Sequence, residues 1–229
     1  FNIFINSNSE PIKNITVIES NYMVLPFKDE YFDLVIYNGL DLKNQSEIFR
    51  CFKEVKRVMK SSGCFCFGGK NKSGFGLSGR RMRRLEKQTY SESYENYMSI
   101  FNKLEFKTRS YLSIGSLTRP YFISDMDDMV LTKWIFSNIE NFFVLNSKTK
   151  LMVSIVKKTK TSLKKFLIKM FIPSFLFYCY KNSIPYSFED MIKEKTGYSK
   201  MIQQIRFNKV VFILFDDMGN PKKKLLCKR

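Results

Sequence analysis

The stretch from Asn14 to Gly69 constrains the fold most, because its apolar period changes in an order few architectures accept. Ile15-Thr16-Val17-Ile18 is a short β-branched run, and Phe32-Asp33-Leu34-Val35-Ile36-Tyr37 reads as a second strand. Asn21 to Phe27 is a loop between them, followed by a Lys28-Asp29-Glu30 turn. From Gln45 to Met59, apolar residues at Ile48, Phe49, Phe52, Val55 and Met59 form a stripe of helical period. Lys60-Ser61-Ser62-Gly63 then supplies a cation and a glycine where a helix should stop. Cys64-Phe65-Cys66-Phe67 is a third apolar strand. Apolar strands joined by a crossover helix argue for an α/β protein with a parallel sheet covered on both faces.

The rest of the chain suits a folded body. Its 229 residues are 44% hydrophobic and 16% aromatic, enough for a sizeable core, which excludes global disorder. The formal charge of +18 invites a nucleic-acid reading. The composition argues against it. The chain has no Ala and no His, and Lys, Asn, Ile, Phe and Ser crowd it throughout. The lysines are spread along its length without a zinc-finger or RNA-recognition motif. A basic surface facing anionic lipid or a phosphorylated substrate accounts for them better. None of the five cysteines (Cys51, Cys64, Cys66, Cys179 and Cys227) makes a C-x-x-C pair, and without His no mixed zinc site can be completed, so no metal is expected. Cys64 and Cys66 share one face of a strand and read as core thiols in a reducing, cytoplasmic compartment.

At Leu25-Pro26-Phe27, Phe32-Asp33-Leu34-Val35 and Glu54-Val55-Lys56-Arg57-Val58-Met59-Lys60-Ser61-Ser62-Gly63 the chain resembles class I S-adenosylmethionine-dependent methyltransferases. Their signature runs LPF, then FDLV, then EVxRVLKPGG, in this order and spacing. The resemblance implies a partial Rossmann-like sheet flanked by helices, with S-adenosylmethionine as cofactor. It places Asn21-Tyr22-Met23 on the loop that meets adenine. There Asn21 stands where the family often has Asp, and its neutral amide makes a weaker acceptor. Asn38-Gly39-Leu40, at the carboxyl end of the following strand, would line the methionine moiety and the substrate entrance. Asp33, inside that strand, reads as structural. No Gly-rich turn precedes Ile15, and glycine is what lets backbone approach the cofactor closely. The chain therefore reads as amino-terminally truncated, with weak cofactor binding expected of it alone.

Beyond the signature the texture changes. Lys70 to Gly76 is a loop, and Arg80-Arg81-Met82-Arg83-Arg84 is a basic run. Arg80, Arg81, Arg83 and Arg84 suit either a solvated helix start or an anion-binding lid, since Arg recognises phosphate or carboxylate through two donors. A helix follows from about Thr89 to Phe101, then a strand from Lys107 to Ile114. The Thr89–Phe106 run and Arg119-Pro120-Tyr121-Phe122 resemble a narrower group, methyltransferase-like domains of cell-surface polysaccharide loci, some fused to a kinase-like domain. That implies a small-molecule or glycan acceptor. No motif residue marks a general base; Tyr90, Asp41 and Glu92 are candidates by chemistry alone. Asp125 to Leu145 reads as helix, with Trp134 in the core.

Lys157 to Phe171 is a basic amphipathic segment, broken by Pro173 and followed by a strand from Ser174 to Tyr180. The apolar run from Phe166 to Tyr180 is shorter than the ~20 residues a membrane span needs and contains Lys169 and Pro173. Peripheral contact with an anionic membrane stays open. Ser183-Ile184-Pro185 reads as a linker, dividing residues 1–182 from residues 183–229. After a helix at Glu189 to Glu194 come three strands, Lys200 to Arg206, Lys209 to Phe215 and Lys223 to Lys228, a small antiparallel β meander. It resembles the start of a kinase-like amino-terminal lobe, with Lys228 as the nucleotide-pairing lysine, though no Gly-rich loop precedes it. The alternative to methyl transfer is a non-catalytic remnant or interaction module that keeps the fold, possible also as part of a bifunctional methyltransferase-kinase.

Overall fold

The computed structural model describes residues 21–37, 43–74, 90–115, 120–141, 145, 147–186, 188–206 and 209–228. Ile15 to Ile18 lies outside the described residues. The elements run β1 (Phe32–Tyr37), α1 (Gln45–Val58), β2 (Met59–Asn71), β3 (Ser91–Glu92), α2 (Tyr94–Lys103), β4 (Lys107–Gly115) and β5 (Pro120–Asp125). Then come α3 (Met129–Asn138), α4 (Ser147–Lys158), α5 (Thr161–Phe171), β6 (Ser174–Tyr180), α6 (Phe188–Thr196), β7 (Lys200–Arg206), β8 (Lys209–Phe215) and β9 (Pro221–Lys228).

Helix α1 starts where its sequence says it should. Asn44 caps it, accepting from the Glu47 N–H at 2.9 Å, and the Glu47 carboxylate accepts in turn from the Lys43 N–H at 3.0 Å. Its buried stripe is Ile48, Cys51, Phe52, Val55 and Val58. Its end differs from the expected glycine stop. Met59 is already extended, and the chain enters β2 without a loop. Gly63 instead lies inside β2, where an added Cβ would meet Met59 Cγ at 2.7 Å and the Phe32 carbonyl at 3.0 Å. The glycine serves a close approach between β1 and β2, beside the register shift at Phe32/Leu34.

The strands form one mixed sheet in the order β1-β2-β6-β4-β5-β7-β8-β9, with β3 also on β2. Among the described residues, parallel pairing is confined to β1–β2 and the short β2–β3 ladder. This corrects the expectation of a parallel sheet. β6 runs antiparallel between β2 and β4, pairing Cys64–Lys70 on one side and Lys107–Ser113 on the other. β5, β7, β8 and β9 continue antiparallel, so the carboxy-terminal meander extends the same sheet through the β5–β7 ladder. Asp128 ties it further to the body: it caps α3 through the N–H groups of Val130 and Leu131 and accepts from Lys200 Nζ at 3.1 Å. Gly219, at φ +84°, turns the β8–β9 connection against α3, where a Cβ would strike Val130 Cγ1 at 2.2 Å.

One face of the sheet carries the main core. Phe65 and Phe67 of β2, Phe175 and Phe177 of β6, and Leu112 and Ile114 of β4 pack with residues from helices α1 to α5. Rings dominate it: Phe52 and Phe101 stack at 5.4 Å, and Phe177 lies 5.0 Å from Phe101. The opposite face holds a smaller cluster of Ile192, Met201, Phe212 and Leu214 beneath α6. α6 is fixed there by Arg109 on Asp190 at 3.0 Å and by Tyr111 and Gln203 on Glu189 at 3.1 and 2.9 Å. Coverage of both faces is therefore partial among the described residues: Leu34 and Ile36 of β1 are 54% and 64% exposed. Cys64 and Cys66 sit half-buried on β2, on the pleat opposite Phe65 and Phe67, while Cys51 and Cys179 are the buried thiols. Burial pushes the Cys51 thiol up to about 12 and Cys66 to about 11.

Two elements differ from the sequence reading. Pro120–Asp125 is a strand, and the helix expected from Asp125 begins at Met129. The basic segment is a hairpin of two helices, α4 and α5. Trp134 is half-buried against the core, edge-on to Phe215 at 5.2 Å.

Phe177→Ala should cost about 3–5 kcal/mol, the usual loss for an aromatic ring in a core that cannot collapse around the gap. Urea unfolding checks it; a change under about 1 kcal/mol would mean that the ring cluster closes on itself.

Candidate functional site

In open α/β sheets ligands gather where parallel strands end, so the relevant edge is formed by the carboxyl ends of β1 and β2 and the start of α1. Residues 21–27 run down the outside of α1 from that edge. Tyr22, half-buried against the core, donates its hydroxyl to Glu47 Oε2 at 3.3 Å in the first turn of α1. Farther along, the Leu25 N–H donates to Glu54 Oε1 at 2.8 Å. Arg57 donates to the carbonyls of Leu25 and Phe27 at 3.1 and 2.8 Å, and to Asp29 and Glu54 at 2.7 and 2.5 Å. Those hydrogen bonds, that to Glu54 foremost, hold the guanidinium above its ordinary pKa. The Glu54 carboxyl is held low by Arg57 and by the Leu25 N–H, against desolvation.

The signature residues thus hold one another. Glu54 and Arg57 fasten the Leu25–Phe27 segment to α1, and Lys60 donates to both carboxylate oxygens of Asp33 at 2.9 Å. Asp33 is a structural residue, as its place inside a strand suggests.

Asn21 is exposed and its side-chain oxygen accepts from the Met23 N–H at 2.9 Å, while its carbonyl accepts from the Val24 N–H at 3.0 Å. This is an Asx turn. It uses one lone pair of the amide oxygen and leaves the second for a ligand donor. Asn38, Gly39, Leu40 and Asp41 lie outside the described residues, as do Arg80, Arg81, Arg83 and Arg84. Lys228 ends β9, the far edge strand, opposite Lys209.

A second polar cluster stands at the carboxyl end of β2. The pair of acid-base candidates, Tyr90 and Glu92, meets here: the Tyr90 hydroxyl donates to Glu92 Oε1. Asn96 Nδ2 and the Ser93 N–H donate to Glu92 Oε2 at 2.6 and 3.3 Å. Tyr97 accepts from the Glu92 N–H at 3.3 Å and donates to the Lys70 carbonyl at 3.0 Å, joining β2 to β3. Asn71, 3% exposed, donates its amide to the carbonyls of Lys169 and Ile172, both at 2.7 Å, near the end of α5. Asn71, Asn96 and Tyr97 escaped the sequence reading, because each acts through partners far along the chain or a turn away.

Burial raises the pKa of the Glu92 carboxyl, but the donors Tyr90, Asn96 and the Ser93 N–H outweigh it and the net shift is downward. Burial, with the bond to Glu92, pushes the Tyr90 phenol up. An acid held ionised by three donors is a poor proton acceptor at neutral pH. Glu92 anchors β3 and α2, and Tyr90 stays a protonated hydroxyl with lone pairs to offer.

A trough of about 1100 Å³ opens along α1, lined among others by Asn21, Met23, Arg50, Lys53, Arg57 and Lys181. It begins at the Asn21 turn and runs toward Glu30, next to the amino end of β1. Among the described residues no group of three His, Cys, Asp or Glu could hold a metal ion, and no helix is long and apolar enough to cross a membrane.

Comparison with known proteins bears on the same region. A family model described as a methyltransferase domain matches residues 4–67, which span β1, α1 and most of β2. No curated protein matches the chain. Among solved structures, a methyltransferase from Thermotoga maritima, described as a possible histamine N-methyltransferase, is 24% identical over 44% of this chain and 50% of its own, with a TM-score of 0.35. The chain thus spans half the length of that protein. An S-adenosylmethionine-dependent methyltransferase from Archaeoglobus fulgidus is 12% identical over 72% of this chain and 67% of its own, with a TM-score of 0.41. A phosphoethanolamine N-methyltransferase from Haemonchus contortus, solved with phosphomonomethylethanolamine and S-adenosylhomocysteine, is 15% identical over 71% and 36%, with a TM-score of 0.38.

The Glu92 cluster predicts a pH dependence. A carboxyl whose folded pKa is depressed contributes stability that is complete above its unfolded value near 4.5 and is lost as pH falls through the folded value. Glu92→Gln should flatten the loss of stability below that pH, and Tyr90→Phe, which removes a donor that lowers the folded value, should shrink it. Thermal melts across the acid range test this; identical slopes in wild type and Glu92→Gln would defeat it.

Proposed function

We propose that this chain carries the adenine-side part of an S-adenosylmethionine-dependent methyltransferase that acts on a small-molecule or glycan acceptor. The observation that carries the reading is the family match over residues 4–67. It coincides with the β1–α1–β2 unit whose carboxyl edge holds the Asn21–Tyr22 turn. The residues at that edge suit an adenine ring. Tyr22 offers a half-buried aromatic surface fixed by Glu47, and Asn21 offers an amide oxygen with one lone pair uncommitted. When bound, the cofactor supplies a methyl already activated on a sulfonium, so the protein's work is alignment rather than covalent help. In this chain the Asn21 turn orients adenine. The family resemblance assigns Asn38, Gly39 and Leu40 to the methionine side of the cofactor, and the Tyr90 hydroxyl accepts a hydrogen bond from the acceptor's N–H or O–H. The narrower polysaccharide-locus reading and the kinase-like reading of residues 183–229, with Lys228 as its site residue, rest on sequence resemblance. Removal of the Lys228 charge by Lys228→Met tests the latter through nucleotide binding.

A second reading, an interaction module that keeps the fold without catalysis, is favoured by one observation: the Asn21 oxygen already serves its own turn.

Calorimetric titration with S-adenosylhomocysteine separates the two. Methyl transfer requires saturable binding that Asn21→Ala weakens by about 1 kcal/mol, one neutral hydrogen bond. No heat and no chemical-shift change at Tyr22 at any ligand concentration would leave the non-catalytic module as the surviving reading.

A further inference from the structure

The helical hairpin of α4 and α5 has a surface that the methyl-transfer reading does not use. Between residues 147 and 171 the sequence holds eight lysines and no Asp or Glu. Each helix also turns large apolar side chains outward. Leu151 and Ile155, four apart on α4, are 64% and 44% exposed; Leu163 and Phe166, three apart on α5, are 53% and 57% exposed. Residues at such spacings form one stripe of a helix. The inward stripes are separate and satisfied: Val153, Val156 and Ile168 are buried in the main core. About half of each outward apolar side chain is therefore left to water.

Neighbours engage only part of the lysines beside them. Of the acids packed nearby, Glu140 reaches Lys157 at 3.8 Å and Asp127 reaches Lys165 at 2.5 Å, while Lys169 lies over the Tyr94 ring. Lys150, Lys158 and Lys160 are exposed around the apolar stripes.

We infer that the α4–α5 hairpin is a docking surface for an anionic lipid bilayer. Three observations select that partner. The helices, at 12 and 11 residues, are too short to span a bilayer but suit lying in its interface. The lysine excess matches anionic headgroups, and exposed Leu, Ile and Phe gain free energy only where they leave water. A second copy of this chain would oppose one strongly basic surface to another, which repels. A nucleic-acid backbone would satisfy the lysines and leave Leu163 and Phe166 in water. The inference stands whether or not the chain transfers methyl groups.

Flotation with vesicles of phosphatidylcholine alone, and of equal parts phosphatidylcholine and phosphatidylglycerol, tests it on the full chain. The wild type should float with the anionic vesicles only. Leu163→Ser/Phe166→Ser and Lys150→Gln/Lys158→Gln/Lys160→Gln should each lower the bound fraction by about tenfold or more. Phe166→Trp, a milder change, should give a blue-shifted emission on anionic vesicles, which keeps the test valid if a double variant folds poorly. Unchanged flotation of Leu163→Ser/Phe166→Ser would overturn the proposal in favour of simple polyanion adhesion. So would competition by RNA that is equally strong for wild type and that variant. A dimer in solution that the same substitutions dissolve would assign the surface to a second copy.

Discussion

The position of β6 between β2 and β4 is the constraint on which the rest of the molecule depends. Its ring at Phe177 meets Phe67 of β2 at 6.1 Å and Tyr97 and Phe101 of α2 at 5.6 and 5.0 Å. One strand therefore joins the parallel unit built around α1 to the antiparallel half that ends in the meander. Without β6, β2 would lose its long ladder, and the Asn71 amide would lose the α5 carbonyls that precede β6. The carboxyl edge of β2, where Tyr90 and Glu92 meet, is thus held from behind by chain about a hundred residues away. Contacts of that separation form against a large loop-closure entropy, so a dense aromatic layer is the kind of interaction able to hold them.

The same separation explains what the sequence could and could not convey. β1, α1 and β2 were legible because each carries its own period and its connections are short. The α1 start at Gln45 followed from the apolar stripe, and the Asn44 cap that fixes it emerged from the structure. The strand order was not. Nothing in Ser174-Phe175-Leu176-Phe177 names Cys64 to Lys70 as its partner, and an apolar strand looks alike beside a parallel or an antiparallel neighbour. Pro120–Asp125 reads poorly as a strand, since it opens on Pro and carries Ser and Asp, yet β4 and β7 flank it. Gly63 misled for a physical reason. Glycine after a helix signals a left-handed cap, but here it answers to crowding by Met59 and Phe32, which only tertiary structure supplies.

The candidate site was legible in a narrower sense. The signature motifs fall on the β1–α1–β2 unit, and their side chains hold that unit together: Arg57 grips Leu25 and Phe27, and Lys60 pairs with Asp33. A resemblance carried by such residues bears first on fold, and on chemistry only through the turn and loop they position. Tyr90 and Glu92 were visible as candidates by residue type, yet their roles came from geometry. Donors converging on Glu92 make it a support for β3 and α2.

The charge of the chain is also organised more sharply than its total suggests. The far edge of the sheet, β9, carries Lys222, Lys223 and Lys224 in succession, which discourages a further strand from pairing there. β1, the other outermost strand among the described residues, exposes Leu34 and Ile36, and its one charged residue, Asp33, is paired with Lys60. The two edges are chemically opposite, one guarded by lysine and one apolar. The α4–α5 segment combines both characters, eight lysines without an acid in its own sequence and an exposed apolar pair on each helix. A general basic composition would scatter acids among those lysines and would not turn Leu163 and Phe166 toward water. That pairing of charge with exposed apolar area distinguishes a surface shaped for a partner from one merely kept soluble.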